Sequence, residues 1–376
     1  MKEIPMVDLK SQYLKIKDEI DNGIHEVIDN TAFIGGNAVK QFQQELAAYL
    51  GVKHVVACAN GTDALQIAMM ALGLKPGDEV ITADFTFIAT VEVIALLGLT
   101  PVLVDVDPQY FNIDTEKLKK AITPRTKAIV PVHLFGQCAN MEEIMKIAGE
   151  HNLFVIEDTA QALGSHYLFS NGNSAMAGTI GHIGCTSFFP SKNLGCYGDG
   201  GALYTNDDNL AYLIQSITNH GMRVRYYHER IGVNSRLDSI QAAVLRAKLP
   251  HLDNYIKARI RVADYYAKAF SSCKNLIVPA RNTYSLHTFH QYTLILKDTD
   301  RAALQNHLRE KGIASAVYYP VPLHKQDAFQ GYSYCADDYP VTDRLCETVL
   351  SLPIHTEMDD STLKYISDSV LDFFIR

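Results

Sequence analysis

Lys192 lies in the stretch SFFPSKNLGCYGDGG, residues 187–201, between the hydroxyls of Ser187 and Ser191 and glycines at 195, 198, 200 and 201. A lysine is ordinarily a solvated surface charge. Glycines let a backbone pass close to a ligand or take positive φ. A lysine held in such a loop can form an imine with a carbonyl once its surroundings keep the amine neutral. Two further stretches carry complementary chemistry. In CANGTDAL, residues 58–65, a strand ends, Asn60-Gly61 turns, and a helix begins at about Thr62. That geometry aims free N–H groups and the positive helix end at one point, which suits a phosphate. A plain turn capped by Thr62 or Asp63 has the same look, and the stretch is neither a P-loop nor a G-x-G-x-x-G. In LFVIEDTAQALG, residues 153–164, Asp158 falls at the carboxyl end of an apolar strand, where open α/β sheets bind ligands. A carboxylate there holds a protonated ring nitrogen or caps the next turn, and Gln161 is near enough in sequence to reach the same ligand. Ser187 could add a phosphate hydrogen bond. A phosphate cradle, an acid for a ring nitrogen and an imine-forming lysine are together what pyridoxal phosphate requires of a protein.

The elements that must position these groups alternate. From about residue 50 to 160 the chain reads VKHVVACA, DEVITA, TPVLVDVD, AIVPVHLF and LFVIED as strands. Between them TDALQIAMMALGL, TVEVIALLG, TEKLKKAI and MEEIMKIAGEH have helical spacing of apolar residues. This order predicts βα units and a mostly parallel sheet covered by helices. Residues 165–186, rich in Gly, Ser and Asn, read as loop or short hairpin. Residues 236–270 read as one or two long helices interrupted by Pro250, which marks a kink or junction. The predicted architecture is α/β, with a large domain over 1–250, including an N-terminal helical segment, and a smaller C-terminal α+β domain over 251–376. In the latter HQYTLILK and IASAVYYP read as strands, and RAALQNHLREKG and STLKYISDSVLDFF as helices.

With 376 residues, 47% hydrophobic and 20% charged, the chain has material for a sizeable core. No apolar run reaches membrane-spanning length, and MKEIPMVDLKSQY lacks the pattern of a signal peptide, so the expected location is cytoplasmic. The seven cysteines include no C-x-x-C pair and read as reduced, mostly buried thiols. A net charge of −8, with RVRYYHER at 223–230 as the densest basic patch, speaks against nucleic acid. A pocket on an acidic protein can still be locally positive toward a small anionic substrate. His287 and His290 lie three apart but no acidic or cysteine cluster completes a metal site near them. The missing G-x-G-x-x-G speaks against a nicotinamide dehydrogenase.

ANGTDAL, ADFTFIATVEVI, VIEDTAQALG, SFFPSKNLGCYGDGG and IGVNSRLDSIQAA occur in that order. Through them the chain resembles the DegT/DnrJ/EryC1/StrS family of nucleotide-sugar aminotransferases, fold-type I pyridoxal-phosphate enzymes, from about residue 4 to the C-terminus. The resemblance implies that Lys192 is the imine-forming lysine and proton shuttle. It implies that Asp158 pairs with the pyridine nitrogen and Gln161 bonds the cofactor's phenolic oxygen. Gly61, Thr62 and Ser187 would hold the phosphate, and Phe87 would stack on the ring, although sequence alone favours core packing for Phe87. Asn234 would reach the phosphate from a partner subunit, making a homodimer with shared sites. Some members carry histidine at the lysine position and act as dehydratases, so Lys192 favours amino transfer. The implied reaction is ping-pong, from L-glutamate to the keto-sugar of a nucleotide-diphosphate sugar, for surface polysaccharide or amino-sugar biosynthesis. Arg236 would reach an anionic sugar or phosphate, or form a structural salt bridge. Tyr318, Tyr319 and His324, in YYPVPLH, fall where the family binds nucleotide and sugar, the tyrosines having interface packing as an alternative. NHGMRVRYYHERIGVNSRLD resembles most the members that aminate C3. The candidate substrates are a UDP-linked 2-acetamido-3-oxo-glucuronate, slightly preferred, and a dTDP-linked 3-oxo-6-deoxyhexose. Amination at C4 and a non-catalytic regulatory protein on the same fold are the alternatives.

Overall fold

A computed structural model of the chain describes residues 3–332 and 338–375. Seven strands form one sheet: β1 His54–Cys58, β2 Glu79–Ala83, β3 Thr100–Val104, β4 Thr126–Val130, β5 Phe154–Asp158, β6 Ile183–Ser187 and β7 Gly201–Thr205, in the order β1-β7-β6-β5-β4-β2-β3. β7 runs antiparallel to both its neighbours and every other pairing is parallel. The strands are buried on both faces, which explains their nearly continuous apolar runs. Successive side chains point to opposite faces. Ile81, Ala83, Ile129 and Val155 pack with the helices Thr115–Lys120 and Met141–His151. Val80, Ala128, Val130 and Ile156 pack with Gly61–Ala71, Ala89–Leu96 and Asp208–Ile217.

The alternation read from residues 50 to 160 matches these elements, with one boundary moved. β4 stops at Val130, before Pro131, and Leu134–Gly136 is a 3-10 turn. The 165–186 stretch is only partly loop. It holds the hairpin His166–Leu168/Ser174–Met176 and most of the central strand β6. The sequence HIGCTS lacks the bulky residues that announce a strand because the sheet is tight there. A Cβ on Gly184 would sit 2.2 Å from the Tyr204 ring of β7.

Pro250 falls in a 3-10 turn, Leu249–His251, joining the helices Ser239–Lys248 and Leu252–Ala269. A second sheet of three antiparallel strands follows: β8 Leu276–Ile277, β9 Tyr292–Leu296 and β10 Val349–Leu352. The helices Arg301–Glu310 and Asp360–Ile375 share its core. IASAVYYP is not a strand. It meets other segments through two single bridges, Ile4 with Ile313 and Ala316 with Ser351, with no continuous ladder. The six described cysteines are free, five of them buried, and Cys335 lies outside the described residues.

Candidate active site

A cavity of about 500 Å³ opens where the strands of the large sheet end. β1 delivers Asn60, Gly61 and Thr62; β2 delivers Thr86 and Phe87; β5 delivers Asp158, Ala160 and Gln161. β6 ends on Ser187, and the loop after it brings Phe189, Ser191 and Lys192. The opposite wall comes from the C-terminal part of the chain as His290, Gln291, Tyr318 and Tyr319. The carboxyl edge of a parallel sheet is where the topology leaves a crevice.

The start of the helix Gly61–Ala71 is built to receive an anion. Asn60 caps it, its Oδ1 accepting from Asp63 N–H at 2.7 Å, and Ala64 N–H reaches Asn60 O at 3.1 Å. Gly61 and Thr62, the first two helical residues, have no intrahelical acceptor for their N–H groups. Gly61 lies so close to Ser187 that a Cβ would stand 2.7 Å from Ser187 Cβ, and a Cβ on Gly201 would stand 2.4 Å from Asn60 O. Glycine at both positions lets β1, β6 and β7 converge on the turn. Ser187 Oγ accepts from Phe189 N–H at 3.2 Å and keeps its own hydrogen for a ligand.

Asp158 is held on both oxygens, Oδ2 accepting from Thr90 Oγ1 at 2.9 Å and Oδ1 from Ala160 N–H at 3.0 Å. Burial raises its pKa, while those hydrogen bonds and Lys192 pull the other way. Such a carboxyl gains most from a cationic ligand atom beside it. Burial also lowers Lys192 to about 8, against the pull of Asp158, so a far larger share of its amine is neutral near physiological pH than for a free lysine, although the charged form still predominates. Gln161 has a fixed orientation. Phe135 N–H donates to its Oε1 at 2.7 Å, so the NH₂ group must be the one that meets Tyr319 Oη at 3.0 Å. One Nε2 hydrogen remains for a ligand, and the Tyr319 O–H is likewise left to donate. Phe87 is 53% exposed and lies 6.3 Å from the Tyr319 ring. It faces the cavity and does not pack in the core as the sequence favoured. Thr86 and His290 line the same cavity, and the buried Thr86 Oγ1 and His290 Nδ1 have no partner among the described residues. A polar ligand belongs here, and the donor set fits pyridoxal phosphate.

Of the residues singled out in the sequence, Gly61, Thr62, Phe87, Asp158, Gln161, Ser187, Lys192, Tyr318 and Tyr319 meet at this cavity, and three do not. Asn234 and Arg236 are exposed outside its wall, flanking Ser235, whose Oγ accepts from Ala59 N–H at 3.0 Å. Arg236 has no ion pair among the described residues, so the salt-bridge alternative is not observed. His324 sits behind the wall. Asp84 accepts from its main-chain N–H at 2.8 Å, the second Asp84 oxygen lies 2.6 Å from its Nδ1, and the ring stacks on Tyr339. Thr90, Phe135, His290 and Gln291 were missed. Thr90 is 68 positions from its partner Asp158, and no local pattern marks such a pair. Among the described residues no group of three or more His, Cys, Asp or Glu is placed to hold a metal ion.

A mostly parallel α/β sheet with a half-buried lysine and a strand-end acid facing one cavity defines a fold-type I pyridoxal-phosphate enzyme. The chain belongs to the DegT/DnrJ/EryC1/StrS aminotransferase family, whose model matches residues 14–371. It is 45% identical to the UDP-2-acetamido-2-deoxy-3-oxo-D-glucuronate aminotransferase of Pseudomonas aeruginosa (96% of this chain, 98% of that one). It is 45% identical to the UDP-N-acetyl-3-dehydro-alpha-D-glucosamine 3-aminotransferase of Acidithiobacillus ferrooxidans (97% and 96%). A pleiotropic regulatory protein of Geobacillus stearothermophilus is 44% identical (99% and 98%). The crystal structure of S. venezuelae DesV in complex with a ketimine intermediate superposes with a TM-score of 0.95 at 36% identity, covering all of both chains.

Proposed function

We propose that this aminotransferase moves the amino group of L-glutamate to C3 of a 3-keto sugar carried on a nucleotide diphosphate. The observation that carries the reading is the pairing, in one cavity, of a lysine whose amine burial makes available with a carboxylate held on both oxygens. The names of the two relatives at 45% identity support C3 and a UDP-linked 2-acetamido sugar. They differ in whether C6 is a carboxylate.

When bound, pyridoxal phosphate supplies the carbonyl that carries the amino group and a ring that takes up the electrons of the deprotonated carbon. The chain's own residues do the rest. Gly61, Thr62 and Ser187 would hold the phosphate, and Phe87 would lie over the ring. Asp158, fixed by Thr90 and Ala160, would keep the ring nitrogen protonated. The free Nε2 hydrogen of Gln161 would meet the phenolic oxygen. Lys192 Nζ would take the proton from the donor's Cα and return one to the sugar's C3 in the second half-reaction, as general base and then acid. Tyr318 and Tyr319 would contact the sugar nucleotide, and Arg236 and His324 remain candidates for that contact. Asn234 would serve the cavity of a second copy in a homodimer. Exposed apolar side chains at Phe33, Ile34, Phe189, Tyr226, Tyr227 and Ile231 support such an assembly. The division into 1–250 and 251–376 is supported by the helix break at Pro250. No described helix is long and apolar enough to cross a membrane, and cytoplasmic placement and a role in surface-polysaccharide synthesis belong to the same reading.

The test is a panel of 3-keto and 4-keto sugar nucleotides with glutamate, products weighed by mass spectrometry. A mass gain at C3 substrates is expected, and amination of C4 substrates alone would overturn the assignment. The Geobacillus relative's name favours a regulatory alternative. For an enzyme, Lys192→Ala gives folded protein with no turnover. Turnover at the wild-type rate in that variant would remove the lysine's role.

A further inference from the structure

Among the described residues of this chain no arginine lines the cavity, and Lys192 is the one lysine that does, set against Asp158 and Asp199. An amino-acid donor nevertheless brings carboxylates, and so does a sugar acid. His290 is 5% exposed and lines the cavity, and among the described residues neither its buried Nδ1 nor its Nε2 has a hydrogen-bond partner. Its main chain is anchored from two sides. Its N–H donates to Phe135 O at 2.8 Å, next to the Phe135 N–H that orients Gln161. Its carbonyl accepts from Arg259 Nη1 at 3.3 Å.

Arg259 is the second observation. It is 5% exposed, and its Nη1 also reaches Phe289 O and Ile354 O, at 3.2 and 2.9 Å. Its Nε has no partner, and no carboxylate pairs with it among the described residues. A buried guanidinium without a counter-charge is costly unless an anion approaches. Its charge is near enough to act on the His290 ring, and His290 lines the cavity. Lys192 and Arg259 both disfavour a charged imidazole, which burial disfavours most. His290 therefore lines the cavity as a neutral ring with one N–H to give, close to the positive groups of Lys192 and Arg259.

We propose that His290, with the guanidinium of Arg259 on its main-chain carbonyl, forms a carboxylate subsite of this cavity and donates an imidazole N–H to one carboxylate oxygen. The proposal rests on the aminotransferase reading and names the group that recognises its acidic ligand. That ligand is the amino donor or a C6 sugar carboxylate.

Calorimetric titration of the holoenzyme with glutarate, UDP-glucuronate and UDP-glucose separates the sources. Loss of a hydrogen bond to a charged group predicts about tenfold weaker binding in His290→Ala for the carboxylate that uses the subsite, with UDP-glucose unchanged. His290→Asn, which keeps a donor, recovers part of the loss and covers a misfolded alanine variant. A loss confined to glutarate assigns the subsite to the amino donor, and one confined to UDP-glucuronate assigns it to the sugar. Unchanged affinities for both carboxylates in both variants overturn the proposal. A wild-type enzyme that binds neither carboxylate overturns it as well. The aminotransferase reading falls separately, on absent turnover in the sugar-nucleotide panel.

Discussion

At the scale of single residues, the chemistry turns on burial changing the ordinary behaviour of Lys192 and Asp158. A lysine in water is almost fully charged at neutral pH, whereas burial brings Lys192 down to about 8. Only the neutral amine attacks a carbonyl. Below about 8, covalent uptake of pyridoxal phosphate by the apoprotein should therefore quicken about tenfold per pH unit and level off above it. Stopped-flow absorbance checks this, and a limb extending to pH 10 would mean that Lys192 is not depressed. Lys192 and Asp158 were legible in the sequence because each sits in a local signature: serines and glycines around one, an apolar strand before the other. His290 and Thr90 were not legible. Their meaning comes from contacts the fold creates, Thr90 with Asp158 and His290 with the cavity, and neither leaves a mark on its neighbours in the chain.

At the scale of elements, the anion-receiving turn depends on two glycines that let three strands crowd together. Gly61→Ala puts a Cβ 2.7 Å from that of Ser187. Overpacking of this kind costs about 1–3 kcal/mol, here at the helix start that would hold the phosphate. We expect the variant to stay folded and to bind pyridoxal phosphate about tenfold more weakly, read by quenching of tyrosine fluorescence. Wild-type affinity would show that the turn has room to spare. The sequence announced the five strands that are apolar throughout, since burial on both faces demands it. It did not announce β6, where Gly184 replaces a bulky residue because the Tyr204 side chain fills the space. IASAVYYP has the composition of a strand but lacks a continuous partner, and composition alone cannot report the missing ladder.

At the scale of the whole molecule, a buried ion site beneath the cavity ties β5 to the rest. Glu157 accepts from Gly178, Ile180 and Gly181 N–H at 2.8, 2.7 and 2.5 Å and from His133 Nε2 at 2.9 Å. His133 Nδ1 accepts from Ala139 N–H, so its proton must lie on Nε2, toward the carboxylate. Glu157→Gln turns an amide hydrogen toward these donors and leaves some unsatisfied. It should cost about 1–3 kcal/mol of stability for each donor left unsatisfied, measured as a lower denaturant midpoint. An unchanged midpoint would mean that the backbone donors find water.

The single bridge between Ile4 and Ile313 has a practical consequence. Ile4 N–H reaches Gly312 O at 2.8 Å, Ala314 N–H reaches Ile4 O at 3.0 Å, and Ile354 N–H reaches Met6 O at 3.3 Å. Residues 4–6 therefore splint the segment that, a few positions later, places Tyr318 and Tyr319 on the cavity wall. A purification tag or truncation at the front of the chain pulls on that splint, far in sequence from anything catalytic. The last helix is exposed at Ile375, so a handle there is expected to disturb the cavity wall less than changes at residues 4–6.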